Sequence, residues 1–197
     1  MDTAGERNTG SGISAVLMAR NARESAVLDL VAVLEGLVPA SFEIIVVTPA
    51  ASRVEPLADL RAREPRLPLR LVPGDAESAG GAAAAFDLIL MTAADGRFDI
   101  RELNHLFEAA EQGADGAVGY RPRRTDRILR RLVGLDWAYY LVTRRLWQQV
   151  AQCNASFAKM LPRLQRLGYR IAEVPVRSRR PTLGIPLARK SRAALVE

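Results

Sequence analysis

Leu88-Ile89-Leu90-Met91-Thr92-Ala93-Ala94-Asp95-Gly96-Arg97-Phe98-Asp99 runs a largely apolar segment straight into a turn that carries two carboxylates. A short apolar run with no polar alternation has the signature of a strand buried on both faces, as in a parallel sheet flanked by helices. In such sheets ligands bind outside the carboxyl ends of the strands, so acids placed just after a buried strand suit a cation and the phosphates it accompanies. Asp95-Gly96 is equally good turn chemistry, and Asp99 is a favoured residue ahead of a helix. Metal ligation and turn-plus-cap are therefore both open for Asp95 and Asp99. The position two before Asp95 is Ala93, which withholds a further carboxylate from the turn.

Outward from this segment the chain alternates between strand and helix signals. Ile13 to Ala19 is of strand length, and Glu24 to Leu37 carries Val27, Leu28, Leu30, Val31, Val33, Leu34 and Leu37 on helical spacing. Phe42 to Val47 reads as a second strand, Val54 to Glu64 as a helix stopped by Pro65, and Leu67 to Val72 as a third strand. The Gly/Ala-rich stretch Ala76 to Ala85 reads as a weak helix or a loop. After the fourth strand, an amphipathic helix is expected over Ile100 to Gln112, closed by Gly113, then a fifth strand over Gly116 to Tyr120. Arg123 to Leu167 reads as helical throughout, with Trp137, Tyr139, Tyr140 and Trp147 on approximate helical spacing and Pro162 in a first turn or at a kink. Tyr169 to Val176 closes the pattern as a strand. The expected fold is a single α/β domain, Rossmann-like, with a mainly parallel sheet and helices on both faces.

The chain has 197 residues, 49% of them hydrophobic, enough for one well-buried domain. Residues 1–11 read as a disordered tail, 12–184 as the domain and 185–197 as a basic tail. The net charge of +6 suits a phosphate-bearing partner or an anionic membrane surface, although Lys159 and Lys190 are the only lysines in a chain biased to Arg and Ala. A single cysteine, Cys153, excludes an internal disulfide and reads as a small apolar filler. A single histidine, His105, excludes a His-cluster metal site and argues against a Ser-His-Asp triad. The stretch 82–94 is interrupted by Asp87, and no apolar run is long enough for a membrane span. A cytoplasmic protein, peripheral to a membrane at most, is expected. Nucleic-acid binding is not, because the arginines lack interleaved aromatic side chains.

Three segments resemble glycosyltransferase family 2, the GT-A fold, and within it the polyprenyl- and dolichyl-phosphate hexosyltransferases. Ala93-Ala94-Asp95-Gly96-Arg97-Phe98-Asp99 resembles the family's Asp-Ala-Asp-Gly-Gln-Phe-Asp metal turn. Gly119-Tyr120-Arg121 resembles its Gly-Tyr-Arg segment, and Gly168 to Val176 its closing strand. The resemblance spans roughly residues 13–184. It implies transfer of a hexose from a nucleotide-sugar donor to a polyprenyl phosphate or similar acceptor, with Mg²⁺ or Mn²⁺ as cofactor and inversion at the anomeric carbon. Departures are as specific as the matches. The first strand ends Met18-Ala19-Arg20-Asn21-Ala22, keeping only the asparagine of the family's Pro-x-Tyr-Asn-Glu, and Val47-Thr48-Pro49-Ala50-Ala51 has none of the carboxylates expected after the second strand. A catalytically inactive module that binds a ligand or regulates a partner is the alternative.

On that resemblance, Asp95 and Asp99 are the metal ligands. Asn21, Arg121 and Arg180 are the groups for the nucleotide and its diphosphate, and Asp136 is a catalytic or acceptor-orienting carboxylate. Each has a plainer reading as well: Asn21 and Asp136 as helix caps, Arg121 with Arg123, Arg124, Arg127, Arg130 and Arg131 as a solvated face, Arg180 as part of a basic tail.

Overall fold

A computed structural model of the chain describes residues 12–19, 23–37, 41–50, 55–74, 77–93, 99–120, 137–153 and 157–177. The apolar runs become strands: β1 (Gly12–Met18), β2 (Ser41–Thr48), β3 (Leu69–Pro73), β4 (Leu88–Ala93), β5 (Gly116–Tyr120), β6 (Trp137–Thr143) and β7 (Ile171–Pro175). Between them lie α1 (Glu24–Leu37), α2 (Glu55–Arg63), α3 (Glu77–Ala83), a 3₁₀ turn (Ile100–Glu102) leading into α4 (Leu103–Glu111), α5 (Arg144–Gln152) and α6 (Phe157–Arg166). The strands form one sheet in the order β3-β2-β1-β4-β6-β5-β7, parallel except for β6, which runs antiparallel to both β4 and β5.

Strand alternation divides the core in two. One face carries Ile13, Ala15, Leu17, Ile44, Val46, Leu90, Tyr139 and Leu141 and is covered by α1, α2 and α4. The other carries Val16, Ile45, Val47, Ile89, Met91, Tyr140 and Val142 and is covered by α3, α5 and α6. Helix α1 shows why the sequence signal was strong: Val27, Leu30, Val31 and Leu34 fall on one stripe and are all buried. At about 1.5 to 3 kcal/mol per fully buried aliphatic side chain, that stripe outweighs any intrinsic helix propensity.

The expected α/β architecture is present, with local corrections. Residues 137–143, expected to be helical, form β6. Tyr139 and Tyr140 are consequently not neighbours on a helix but point to opposite faces of the sheet. Of the two places expected for Pro162, a first turn or a kink, it is not in a first turn: it lies inside α6, where Arg166 Nε donates to its carbonyl at 3.2 Å. Cys153, expected to be buried filler, is exposed at the end of α5.

The weakly signalled stretch after β3 forms helix α3, and its glycines explain the weakness. A Cβ on Gly80 would meet Val16 Cγ1 and Val47 Cγ2, and one on Gly81 would meet the Trp147 indole. The glycines let the helix backbone lie against β1, β2 and α5 at the cost of helix propensity. Gly81→Ala should therefore destabilise the fold by about 1 to 3 kcal/mol through overpacking. Gly36→Ala in α1, where nothing lies within 4 Å of the new methyl, should stabilise it by about 0.5 to 1 kcal/mol. Urea denaturation of the two variants would check the opposite signs.

Candidate functional site

Strand order reverses beside β1: the chain moves outward through β2 and β3, then returns to place β4 on the other side of β1. In an open α/β sheet the usual place for a ligand is the crevice outside the carboxyl ends of the strands, at such a reversal of strand order. One row of register partners crosses all seven strands just before this edge, and the pairing of β5 with β6 shifts immediately after it, between Gly119 and Tyr120. Leu71, Val46, Leu17, Thr92, Tyr139, Gly119 and Val174 lie side by side, one from each strand. Because β6 is antiparallel, it begins at the edge where the parallel strands end.

Five of the six candidate residues, Asn21, Asp95, Arg121, Asp136 and Arg180, lie outside the described residues. The described residues that flank them in sequence all stand at this edge. Ala19, two before Asn21, extends β1 by donating its N–H to the Val47 carbonyl at 3.0 Å. Ala93, two before Asp95, is paired with Met18. Tyr120, which precedes Arg121, is paired with Trp137, which follows Asp136. Arg177, three before Arg180, follows Val176, whose N–H donates to the Tyr120 carbonyl at 2.9 Å.

Asp99 is described, and its surroundings are specific. It caps the 3₁₀ turn, with Oδ1 accepting from the Arg101 N–H at 3.2 Å. Its own N–H donates to the Arg177 carbonyl at 3.3 Å, and its carbonyl accepts from the Glu102 N–H at 3.1 Å and from the Tyr139 hydroxyl at 3.3 Å. Glu102 Oε1 stands 3.7 Å from Arg177 Nε. One carboxylate oxygen of Asp99 is thus committed to the backbone, which leaves at most the other for a cation. Among the described residues no group of three His, Cys, Asp or Glu side chains is placed to hold a metal ion. A cation there needs donors beyond Asp99, and a diphosphate with water supplies such donors for Mg²⁺ or Mn²⁺.

At the end of β2 the Thr48 hydroxyl donates to the Val72 carbonyl at 3.2 Å, and the Gly74 N–H donates to the Thr48 carbonyl at 3.2 Å. That corner, where the resemblance calls for carboxylates, is tied up structurally. His105 is exposed on α4 between Glu108, at 3.3 Å, and Glu102, at 4.0 Å, and takes no part in the crevice.

Sequence reasoning did not single out Glu102, Arg177 or the role of Tyr139. The one available signal for Tyr139 was Gly119: a Cβ there would meet the Tyr139 ring at 2.6 Å, so glycine is the residue that lets the ring lie across β5. Burial raises the Tyr139 pKa well above 10.0, with the carboxylates of Glu102 and Asp99 adding to it. Burial also raises that of Tyr140, followed by Glu77, although the Tyr140 hydroxyl has no hydrogen bond of adequate geometry among the described residues. Phenols with folded pKa values above the unfolded 10.0 contribute fully below pH 10 and lose that contribution as pH rises toward the folded values. Titration of the two tyrosines should therefore leave stability constant with pH around neutrality and lower it above pH 10. In an ultraviolet phenolate titration, two of the four tyrosines should ionise only as the protein unfolds.

No protein-family model matches the sequence, and no curated protein matches it in sequence. Solved structures do resemble its fold. One is 4-diphosphocytidyl-2C-methyl-D-erythritol synthase from Anaerococcus prevotii, with a TM-score of 0.61 and 13% identity, covering 85% of this chain and 90% of that one. Another is the mannosyltransferase PcManGT from Pyrobaculum calidifontis in complex with GDP-Man and Mn²⁺, with a TM-score of 0.61 and 16% identity, covering 83% of this chain and 54% of that one. At such identities the likeness speaks for the fold alone: one α/β domain with a mainly parallel sheet. No helix among the described residues is long and apolar enough to cross a membrane.

Proposed function

We propose that this chain is a nucleotide-sugar-dependent transferase of the family 2 type, moving a hexose to a polyprenyl phosphate or similar anionic acceptor. The observation that carries the reading is the reversal of strand order at β1 and β4, with Asp95 and Asp99 following β4 directly in sequence. In this reading Asp95, with Asp99 through its second oxygen, would hold Mg²⁺ or Mn²⁺. When bound, that ion would neutralise charge on the departing diphosphate. Asn21 hydrogen-bonds the nucleobase, and the guanidinium groups of Arg121 and Arg180 bind diphosphate oxygens bidentately. An acceptor oxygen attacks the anomeric carbon as the bond from that carbon to the diphosphate breaks, and the nucleoside diphosphate leaves with inversion. A phosphate acceptor is already an anion at neutral pH and needs no general base, so the role for Asp136 is to orient the acceptor.

The engagement of Thr48 with Val72, in a corner that lacks carboxylates, favours a second reading: a domain that binds the nucleotide sugar without turning it over. A thermal-shift screen of nucleotide sugars with and without Mn²⁺, followed by assay for released nucleoside diphosphate, separates the two. Metal-dependent stabilisation with release supports the transferase, stabilisation without release supports the binding module, and no stabilisation by any nucleotide sugar overturns both.

A further inference from the structure

The sheet separates helices of opposite charge. On one face α1 carries Glu24, Asp29 and Glu35, and α4 carries Glu108 and Glu111, with no Lys or Arg in either helix. On the other face α5 and α6 have no Asp or Glu, and neither does any residue of 144–170. Two cations of that stretch are already engaged. Arg144 donates to the carbonyls of Ala84 and Phe86 and stands 3.4 Å from Asp87, and Arg170 reaches the Gln112 carbonyl at 3.4 Å. Lys159, Arg163 and Arg166 are exposed, and their spacing of i, i+4 and i+7 sets them in one stripe about 10 Å long on α6. Lys159 and Arg163 make no ion pair among the described residues. Just past the helix, the Leu167 N–H donates to the Arg163 carbonyl at 3.0 Å, which continues the helical turn and sets Leu167 beside the stripe. At 60% Leu167 is the most exposed large apolar side chain among the described residues.

We propose that the solvent face of α6 is a docking surface for an anionic lipid bilayer, with Lys159, Arg163 and Arg166 on headgroup phosphates and Leu167 entering the interface beside them. Charge decides the kind of partner. A cationic stripe on helices that hold no acid attracts an anionic surface, and the acidic helices on the far face of the sheet are turned away from it. Nucleic acid is a poorer match, because the aromatic side chains of α5 and α6, Trp147 and Phe157, are only 4% and 1% exposed and offer no ring for a base to stack on. An exposed leucine among cations suits the boundary between headgroups and acyl chains. Phe157, Met160, Leu161 and Leu164 are buried on the opposite side of α6 in the core, so the helix lies on the bilayer as part of the fold and does not leave it to insert. Docking of this kind needs neither metal nor nucleotide sugar and does not depend on the transferase reading.

Co-sedimentation of the full chain with vesicles tests the surface, using vesicles of equal parts phosphatidylcholine and phosphatidylglycerol and vesicles of phosphatidylcholine alone. The wild type should bind the mixed vesicles, release them as salt is raised, and leave pure phosphatidylcholine unbound. Lys159→Gln/Arg163→Gln should weaken partitioning about 25-fold, at about 5-fold per cation removed. Arg61→Gln/Arg66→Gln removes the same charge from two exposed arginines outside α6 and should change it by less than about 2-fold. All other basic residues of the chain are common to the two variants, so the difference between them belongs to α6. Leu167→Ser should weaken partitioning about 3- to 10-fold without changing the charge. Failure of the wild type to bind the mixed vesicles, or equal losses in the two double variants, would overturn the proposal. A loss with the cations but none in Leu167→Ser would make the face a plain anion patch and overturn the bilayer assignment. A single-stranded oligonucleotide that strips the wild type from the vesicles, and binds Lys159→Gln/Arg163→Gln more weakly, would overturn it in favour of nucleic acid.

Discussion

Glu43→Ala should lower the folding free energy by about 2 to 4 kcal/mol, seen in urea as a lower midpoint at unchanged slope. Glu43 is the third residue of β2 and Ser14 the third of β1. They are register partners, both buried, and both point to the face covered by α3. Glu43 Oε1 accepts from the Ser14 hydroxyl at 2.7 Å and from the Ala85 N–H at 2.6 Å, while Ser14 Oγ accepts from the Phe86 N–H at 3.0 Å. Arg70 approaches the other Glu43 oxygen at 3.6 Å and donates to the Ala83 carbonyl at 2.9 Å. Removing the carboxylate strands the buried Ser14 hydroxyl, leaves the Ala85 N–H only its longer bond to Ser14 Oγ at 3.1 Å, and opens a cavity, which together cost a few kcal/mol at about 1 kcal/mol or more each. Arg70 is about half exposed, at 49%, so the ion pair itself contributes little, and Arg70→Ala should cost under about 1 kcal/mol. Ser14→Ala should fall between the two. The Ser14→Ala/Glu43→Ala double variant should lose less than the sum, because the hydrogen bond between the two side chains is lost in either single variant.

That network bears on the site although it sits at the opposite edge of the sheet. Together with Arg144, which donates to the carbonyls of Ala84, at 2.9 Å, and Phe86, at 2.6 Å, it fixes the 84–87 connection from which β4 begins. A one-residue slip of β4 would exchange its faces, placing Ile89 and Met91 where Leu90 packs, and would shift the acidic turn along the crevice. The polar groups at the start of the strands therefore set which residue ends β4.

Most of the fold was legible because β1, β2 and β4 are apolar runs bounded by polar or glycine-bearing segments, and α1 and α4 carry one-sided stripes. Residues 137–143 were misread for a physical reason. A central strand is buried on both faces, so Trp137 to Thr143 shows no alternation, and a continuous apolar run of that length is indistinguishable by period from a buried helix. Its neighbour α5, with Leu146, Trp147 and Val150 on a true helical stripe, extended the helical signal backward. Aromatic and β-branched enrichment in Trp-Ala-Tyr-Tyr-Leu-Val-Thr was the local clue to a strand. The site was less legible than the fold. Asp99 was identifiable as a cap, but Tyr139 and Arg177 reach it from strands distant in sequence, and no local pattern encodes a hydrogen bond to a backbone carbonyl. Glu43 and Ser14 were hidden similarly, as isolated polar residues inside runs whose apolar character decided the reading.

Asp95→Ala should weaken Mn²⁺-dependent nucleotide-sugar binding by about 100-fold or more while leaving metal-free binding of the same nucleotide unchanged. Loss of a residue that merely supports a metal ligand typically costs 10- to 100-fold in affinity, and loss of the ligand itself should exceed that. The expectation is steep here because the turn has few substitutes: Ala93 stands where another carboxylate would be, and Asp99 has one oxygen on the Arg101 N–H. Asp99→Ala should behave differently. It removes a helix cap, costing about 1 kcal/mol of stability whether or not metal is present, and should weaken metal-dependent binding by about 10-fold or less. Calorimetric titration of both variants with and without Mn²⁺ decides between them. Equal, large, metal-dependent losses would make both aspartates ligands. A loss confined to Asp95 would show that one protein carboxylate suffices when the diphosphate and water complete the shell. Unchanged binding in Asp95→Ala would return the turn to its plainer role, an Asp-Gly corner leading into a capped helix, and would take the transferase reading with it.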